Sequence, residues 1–308
     1  MYAQAATELI SERKTSQKTG HSSITNLDAL LLEVESTMAS ILIDGEVSHQ
    51  SEAHKATAYH LGAGGQRIRA RLALHAALSM QLTVKDAVAI AAAVELLHNA
   101  SLVHDDIQDE ATVRRGRESV WALYGTNIAI CSGDLLLSAA YSALSTLGSV
   151  GKLPMLVKQV HNCVSTLIHG QCAENNPAVL VPDFEAYKAV AAAKSGALLR
   201  LPFQLVFTVA GRTDCIGAAV AAANAFAIGY QILDDISDID DDLSRVTRPS
   251  CANAVLVLRA RSTGDNAEHL ARQAGVMHLS AAANMAESLP YASGLLLKSM
   301  ALKLIGQS

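Results

Sequence analysis

The stretch DAVAIAAAVELLHNASLVHDDIQD, running from Asp86 to Asp109, decides the fold. It reads as one long, very apolar helix whose polar residues collect at its C-terminal end. Helix periodicity places Asp105 and Asp109 one turn apart on one face. His98 lies two turns before Asp105 on nearly the same face, roughly 10 Å away at about 1.5 Å per residue.

The pattern recurs further along. Residues Cys215 to about Ile239 form a second long apolar segment that ends in acids, and its close reads Gly229-Tyr-Gln231-Ile-Leu-Asp234-Asp235-Ile-Ser-Asp238. Gln231, Asp234, Asp235 and Asp238 share a face by their spacing, and both stretches carry DDxxD. Aspartates this dense at a helix C-terminus oppose the helix dipole and repel one another. A single such cluster could be a solvated helix end. Two of them, each closing an unusually apolar helix, call for compensation by divalent cations. Mg²⁺ suits the pattern, since it favours a few carboxylates, waters and phosphate oxygens over an all-protein cage. Two facing clusters could then clamp a diphosphate through bridging Mg²⁺.

The rest of the 308-residue chain is read outward from these two helices. Residues 1–22 are rich in Ser, Thr, Lys and Gln and predict a flexible tail. Residues 23–308 predict one all-α domain, with helical periodicity from Ile24 onward and no convincing strand. Helices are expected over Ile68–Met80, Val120–Tyr124, Ile128–Leu147, Leu153–Cys172 and Asp183–Ser195. Another, Leu198–Val209, should kink near Pro202. Gly62–Gly65, Arg114–Gly116, the segment around Pro177 and Pro182, and Asp240–Ser250 read as breaks or loops. The composition agrees: half of the residues are hydrophobic, 17% are charged, and there are only six prolines. That balance suits long, closely packed helices and a large core.

Net charge is −5, which gives no electrostatic case for nucleic acid or an anionic membrane surface. The five cysteines form no CxxC pair and lie in apolar stretches, which predicts buried free thiols. Glu8, Glu12, Arg13 and Lys14 interrupt any signal-peptide layout. The apolar run Ile216–Leu233 is mostly alanine and contains Asn224 and Gln231, so no transmembrane segment is expected. A soluble cytoplasmic protein follows as the expectation.

With these residues in hand, the chain resembles the trans-polyprenyl diphosphate synthase family, which includes farnesyl and geranylgeranyl diphosphate synthases. Gly64-Gly65-Gln66-Arg67-Ile68-Arg69 is similar to the family's GGKRxR segment. His98 to Asp109 matches its first aspartate-rich motif, and Arg114-Arg115-Gly116 the basic pair after it. Gly133-Asp134 looks like its GD, Gly170-Gln171-Cys-Ala-Glu174 its GQxxD, Lys194-Ser195 its KT, and Gln231–Asp238 its second motif. The order is the family's, over about Gly62 to Asp242.

The resemblance implies a single large helical bundle of the isoprenoid synthase type with a central active-site cavity, working as a homodimer. It implies a prenyltransferase that condenses isopentenyl diphosphate with an allylic prenyl diphosphate by ionisation, condensation and elimination. Two or three Mg²⁺ ions are expected per site. Asp105, Asp109 and Asp234 would be the principal Mg²⁺ ligands, supported by Asp106, Asp235 and Asp238. Arg114, Lys194, Ser195 and Gln231 would hold the allylic diphosphate. The isopentenyl diphosphate would lie against Arg69, His98 and Arg115, with Gln66 at the fourth position.

Three departures qualify the resemblance. Gln66 stands where the family has lysine, which removes one cationic contact. The loop Asp240–Ser250 lacks the family's Gly-Lys and further lysine, for which Arg245 and Arg248 could substitute. Glu174 replaces aspartate. Product length is partly legible, because the family measures its product against the helix face before the first motif. There Ala100 and Ser101 are small, with Leu97 a turn deeper, so the expected product is geranylgeranyl (C20) or somewhat longer. The alternatives are a catalytically weak regulatory subunit of a heteromeric synthase and a class I terpene synthase. Both retained aspartate clusters count against the first. The second DDxxD and an aromatic content of 4% count against the second.

Overall fold

The computed structural model describes residues 21–43, 51–174, 183–239, 253–260 and 266–308. Residues 1–20, the segment around Pro177 and Pro182, Asp240–Ser250 with Arg245 and Arg248, and Cys251 lie outside them. The described elements are almost entirely helical, as expected: α1 (His21–Ile43), α2 (Glu52–Gly62), α3 (Ile68–Ser79), α4 (Val84–Gln108), α5 (Val120–Tyr124), α6 (Thr126–Ser145) and α7 (Leu153–Glu174). They continue with α8 (Phe184–Ala191), α9 (Ala197–Val209), α10 (Ile216–Ser237), α11 (Ala254–Arg259), α12 (Ala267–Glu287) and α13 (Leu295–Gln307). The exception is a hairpin of two short antiparallel strands, β1 (Val113–Arg114) and β2 (Arg117–Glu118).

The chain divides into two compact units, with the boundary at Val157/Lys158 inside α7. In the N-terminal unit α4 is the central element, packed against α1, α3 and α6. Its residues from Ala87 to Leu97 are all buried, so the helix is enclosed on every side. Its start is set locally. Thr83 Oγ1 accepts from Asp86 N at 3.1 Å, and the Asp86 carboxylate in turn accepts from Gly148 N at 2.9 Å.

In the C-terminal unit α10 packs against α12, α9 and α11. The α10–α12 approach depends on glycine. A Cβ on Gly229 would lie 2.8 Å from Gly275 O, and one on Gly275 would lie 3.0 Å from Leu233 Cδ2. Side chains at these positions would force the helices apart.

Three local expectations are sharpened or corrected. An irregularity not expected from the sequence falls before Pro202: Ala192–Gly196 is a π-helical turn, and Pro202 lies within the continuous helix α9. The turn at Arg114–Gly116 is a two-residue hairpin loop, Arg115-Gly116, with φ of 54° and 74°. Both central residues are left-handed, as the twist of a tight hairpin requires. The cysteine expectation is borne out only for Cys163, which is buried. Cys131 and Cys172 are free thiols on exposed faces of α6 and α7, and Cys215 is half-buried. An apolar sequence neighbourhood does not bury a residue that faces outward on a helix.

The expectation about membrane spans also changes. Val84–Gln108, Thr126–Ser145, Phe184–Val209 and Thr213–Ser237 are long and apolar enough to cross a membrane, by length and composition. Much of that apolar surface is turned into the fold, most fully in α4, where 78% of the apolar window is buried.

Candidate active site

The two aspartate motifs sort their acids identically. In the first, Asp105 is half-buried, Asp106 buried and Asp109 exposed; in the second, Asp234, Asp235 and Asp238 repeat that order. The i, i+1, i+4 spacing permits this, because the middle residue turns about 100° away from its neighbour; packing decides which side is covered. In each motif the inner acid is buried, while the outer acids keep exposed surface.

Asp106 has no exposed surface. Its Oδ1 accepts from Arg114 Nε at 2.8 Å and Nη2 at 2.5 Å, while Oδ2 is buried with no partner among the described residues. Burial pushes its pKa up, against the lowering effect of Arg114. Arg114, expected to hold the allylic diphosphate, is thus already engaged by the motif that precedes it. The neighbouring Arg115 reaches the glycine loop instead and donates to Gly64 O. A Cβ on Gly65 would stand 2.8 Å from the Arg115 guanidinium, so glycine at this position leaves room for it. Tyr59 anchors the hairpin from α2, donating to Glu118 O at 3.0 Å beneath the Arg117 guanidinium, which lies 4.2 Å from its ring centroid.

Arg69 and His98 come together as expected, with Arg69 Nη1 at 3.1 Å from His98 Nε2. The arginine can only donate, so Nε2 accepts and the ring is neutral with its proton on Nδ1. Burial, then Arg69 and Arg115, hold the His98 pKa well below the ordinary value. Nδ1 is buried with no described partner. Gln66 is half-buried in the same loop.

Arg67, between them, was given no role by the sequence. It is buried, adopts φ 51° at the start of α3, and donates to Glu35 at 3.1 Å, Glu95 at 3.4 Å and Leu61 O at 3.2 Å. Glu95 also accepts from Ala70 N at 3.3 Å. This buried carboxylate fixes the left-handed bend from which Arg69 emerges. A glutamate in the apolar helix α4 was the available signal.

The GD, GQ and KT segments find packing reasons. A Cβ on Gly133 would fall 2.1 Å from His104 Nε2, so this glycine admits the ring; Asp134 Oδ1 lies 3.8 Å from the same nitrogen. Lys194 and Ser195 lie in the π turn, whose backbone Gly170 meets directly: a Cβ there would be 3.0 Å from Lys194 N. A π turn displaces side chains from helical register and recurs at functional sites. Gln171, noted only as part of the GQxxD-like segment, is buried with both amide atoms unpartnered among the described residues. The side chain of Glu174 lies outside the described residues.

Ser195 Oγ donates to Gln231 Oε1 at 3.2 Å, and Gln231 Nε2 to Asp235 Oδ1 at 2.9 Å. Asp235 Oδ2 accepts from Tyr187 OH at 2.6 Å and Ala254 N at 2.8 Å. Burial raises the Asp235 pKa to about 6 despite these donors. Leu97 and Ala100 are buried on α4, and Ser101 Oγ bonds His98 O at 2.8 Å.

Among the described residues no group of three His, Cys, Asp or Glu side chains is arranged to hold a metal ion by itself. The outer acids nonetheless fit Mg²⁺, as hard oxygen donors with few protein ligands and room for water and phosphate.

The architecture defines the class first: an all-α chain of the isoprenyl diphosphate synthase fold. Geranylgeranyl pyrophosphate synthetase from the archaeon Geoglobus acetivorans superposes with a TM-score of 0.79 at 22% identity, covering 91% of this chain and 99% of that one. The polyprenyl synthetase family model matches residues 50–254, more than half of the chain, and the chain belongs to that family. It is 30% identical over 207 residues to the short chain isoprenyl diphosphate synthase of Methanocaldococcus jannaschii, covering 66% of this chain and 62% of that protein. It is 33% identical over 196 residues to a geranylgeranyl diphosphate synthase of Mycobacterium tuberculosis, covering 61% and 54% respectively. The chain thus spans under two thirds of the length of these relatives.

Proposed function

We propose that the chain is a prenyltransferase that condenses isopentenyl diphosphate with an allylic prenyl diphosphate, giving geranylgeranyl diphosphate or a somewhat longer product. The observation that carries this reading is the repeated sorting of acids: each DDxxD presents two outer carboxylates and anchors its inner one. Asp105, Asp109 and Asp234, with Asp238, would hold Mg²⁺. Asp106 and Asp235, assigned supporting roles by the resemblance, would act by positioning, since their bonds are made within the protein.

When bound, Mg²⁺ would supply positive charge against the diphosphate oxygens. Lys194, Ser195, Gln231 and Arg114 would bind the allylic diphosphate as it departs. Arg69, Arg115 and the free Nδ1–H of His98 would orient the isopentenyl diphosphate, with Gln66 offering a neutral contact. The isopentenyl double bond then attacks the allylic carbon, and the new chain loses a proton to the departing diphosphate. Apolar side chains on α4, down to Leu97 past Ala100 and Ser101, would exclude water and limit chain growth. Homodimerisation and a cytoplasmic setting belong to the same proposal and rest on the family resemblance and the composition.

Incubation of purified protein with Mg²⁺, isopentenyl diphosphate and each allylic diphosphate, followed by chromatographic sizing, tests the reading. A lengthened prenyl diphosphate supports it. A hydrocarbon would mark a cyclase, and activity seen only with a partner subunit would mark a regulatory chain.

A further inference from the structure

Tyr187 belongs to no motif read from the sequence, yet it makes a 2.6 Å hydrogen bond to the buried inner acid of the second motif. We propose that Tyr187 is a positioning residue for that motif: with Asn253 and the Ala254 amide it locks Asp235, so that the last turn of α10 is held for binding metal-bound diphosphate. This rests on the reading given under Proposed function.

The lock grips residue 235 twice. Tyr187 OH and Ala254 N hold the carboxylate, and Asn253 Nδ2 donates to Asp235 O at 2.8 Å. That carbonyl belongs to the last turn of α10, where the helix has no amide of its own to offer. The Asn253 Oδ1 accepts from Val255 N at 2.9 Å and Leu256 N at 3.4 Å, so one side chain starts α11 and closes α10. The other Asp235 oxygen leads through Gln231 to Ser195 in the π turn. Tyr187 lies on α8, the helix that runs into that turn. One hydroxyl therefore restrains the element bearing Asp234 and Asp238 and, through Gln231, the element bearing Lys194 and Ser195. Its ring lies beside Phe184, with centroids 5.7 Å apart and planes 8° apart, while the hydroxyl is held by the acid itself.

The test uses Tyr187→Phe, which keeps the stacked ring and removes only the hydroxyl. Phe184→Leu is the control, because it disturbs the same helix and leaves the hydroxyl in place. The probe is Mg²⁺ with inorganic diphosphate, titrated calorimetrically into the full chain, alongside thermal unfolding without ligand. Loss of a hydrogen bond to a charged group predicts that Tyr187→Phe weakens Mg²⁺–diphosphate binding by about tenfold or more. Isopentenyl diphosphate binding without Mg²⁺ should hold, the midpoint of unfolding should fall by only the few degrees that one lost buried hydrogen bond costs, and Phe184→Leu should bind the probe as the parent does. Unchanged probe binding in Tyr187→Phe, or an equal loss in Phe184→Leu, overturns the positioning role. A parent protein that binds no Mg²⁺–diphosphate at all refutes the functional reading itself, a separate outcome.

Discussion

At the scale of single residues, burial separates acids that the motif writes identically. Asp109 is exposed, whereas Asp106 is buried against Arg114. Asp109→Ala should abolish elongation by at least about a hundredfold, with a stability change within about 0.5 kcal/mol, as for other surface sites. Asp106→Ala should lose activity and also destabilise by about 1–3 kcal/mol, because it strands a half-buried guanidinium. Parallel kinetics and denaturant unfolding of the two variants check the contrast. Restoring the family's lysine with Gln66→Lys should lower the KM for isopentenyl diphosphate by about tenfold, the worth of one charge-assisted bond, and leave the allylic KM in place. Ala100 is 4% exposed, so a ring at that position must intrude on its surroundings. Ala100→Phe should shift the main product to a shorter chain on chromatographic sizing, and an unchanged product profile would remove Ala100 from the measuring role.

At the scale of elements, the π turn at Ala192–Gly196 is where regular structure yields to presentation of Lys194 and Ser195. One inserted residue makes such a turn, so deleting Ala193 should restore α-helical register while leaving α8 and α9 in place. The expected result is retained or slightly raised thermal stability with the affinity for allylic diphosphate down by about tenfold or more, measured by equilibrium binding. A deletion variant that binds as the parent does would show that the turn has no presenting role. Gly170 on α7 and Gly196 at the end of the turn fit the same account. A Cβ on Gly170 would press on Lys194 N, and one on Gly196 would stand 2.8 Å from Asn224 Oδ1 of α10. The motif glycine is thus a packing residue that lets the irregular turn seat.

At the scale of the whole molecule, acid sensitivity should trace to buried histidines, His98 and, with the clearer test, His60. His60 bonds Asn99 Oδ1 at 3.1 Å, and burial, with Arg115 adding to it, lowers its pKa to about 4. The unfolded chain therefore binds the extra proton between about pH 6.5 and 4, and the contribution of His60 to stability is lost as pH falls through that window. The full effect is on the order of 3 kcal/mol. Asp235 acts oppositely: its pKa, raised to about 6, gives stability below about pH 4 that is lost as pH rises through 6. His60→Gln should consequently lose less stability than the parent between pH 7 and 4.5 in denaturant titrations. Equal losses would place the acid sensitivity elsewhere.

Periodicity and composition alone determined that the chain is helical, where its apolar helices begin and end within a few residues, and which acids stand at their ends. These are properties of spacing along one helix, and local geometry suffices to read them. The same reasoning could not divide Asp235 from Asp238, because which side of α10 is covered depends on Tyr187 and Ala254, distant in sequence. Nor could it find Arg67, whose left-handed backbone is held by Glu35 and Glu95. The π turn escaped it too, since Ala-Ala-Lys-Ser-Gly reads as ordinary helix until Gly170 and Asn224 pack against it. Tertiary packing decided these roles because a buried polar group takes its function from whichever partners the fold brings to it.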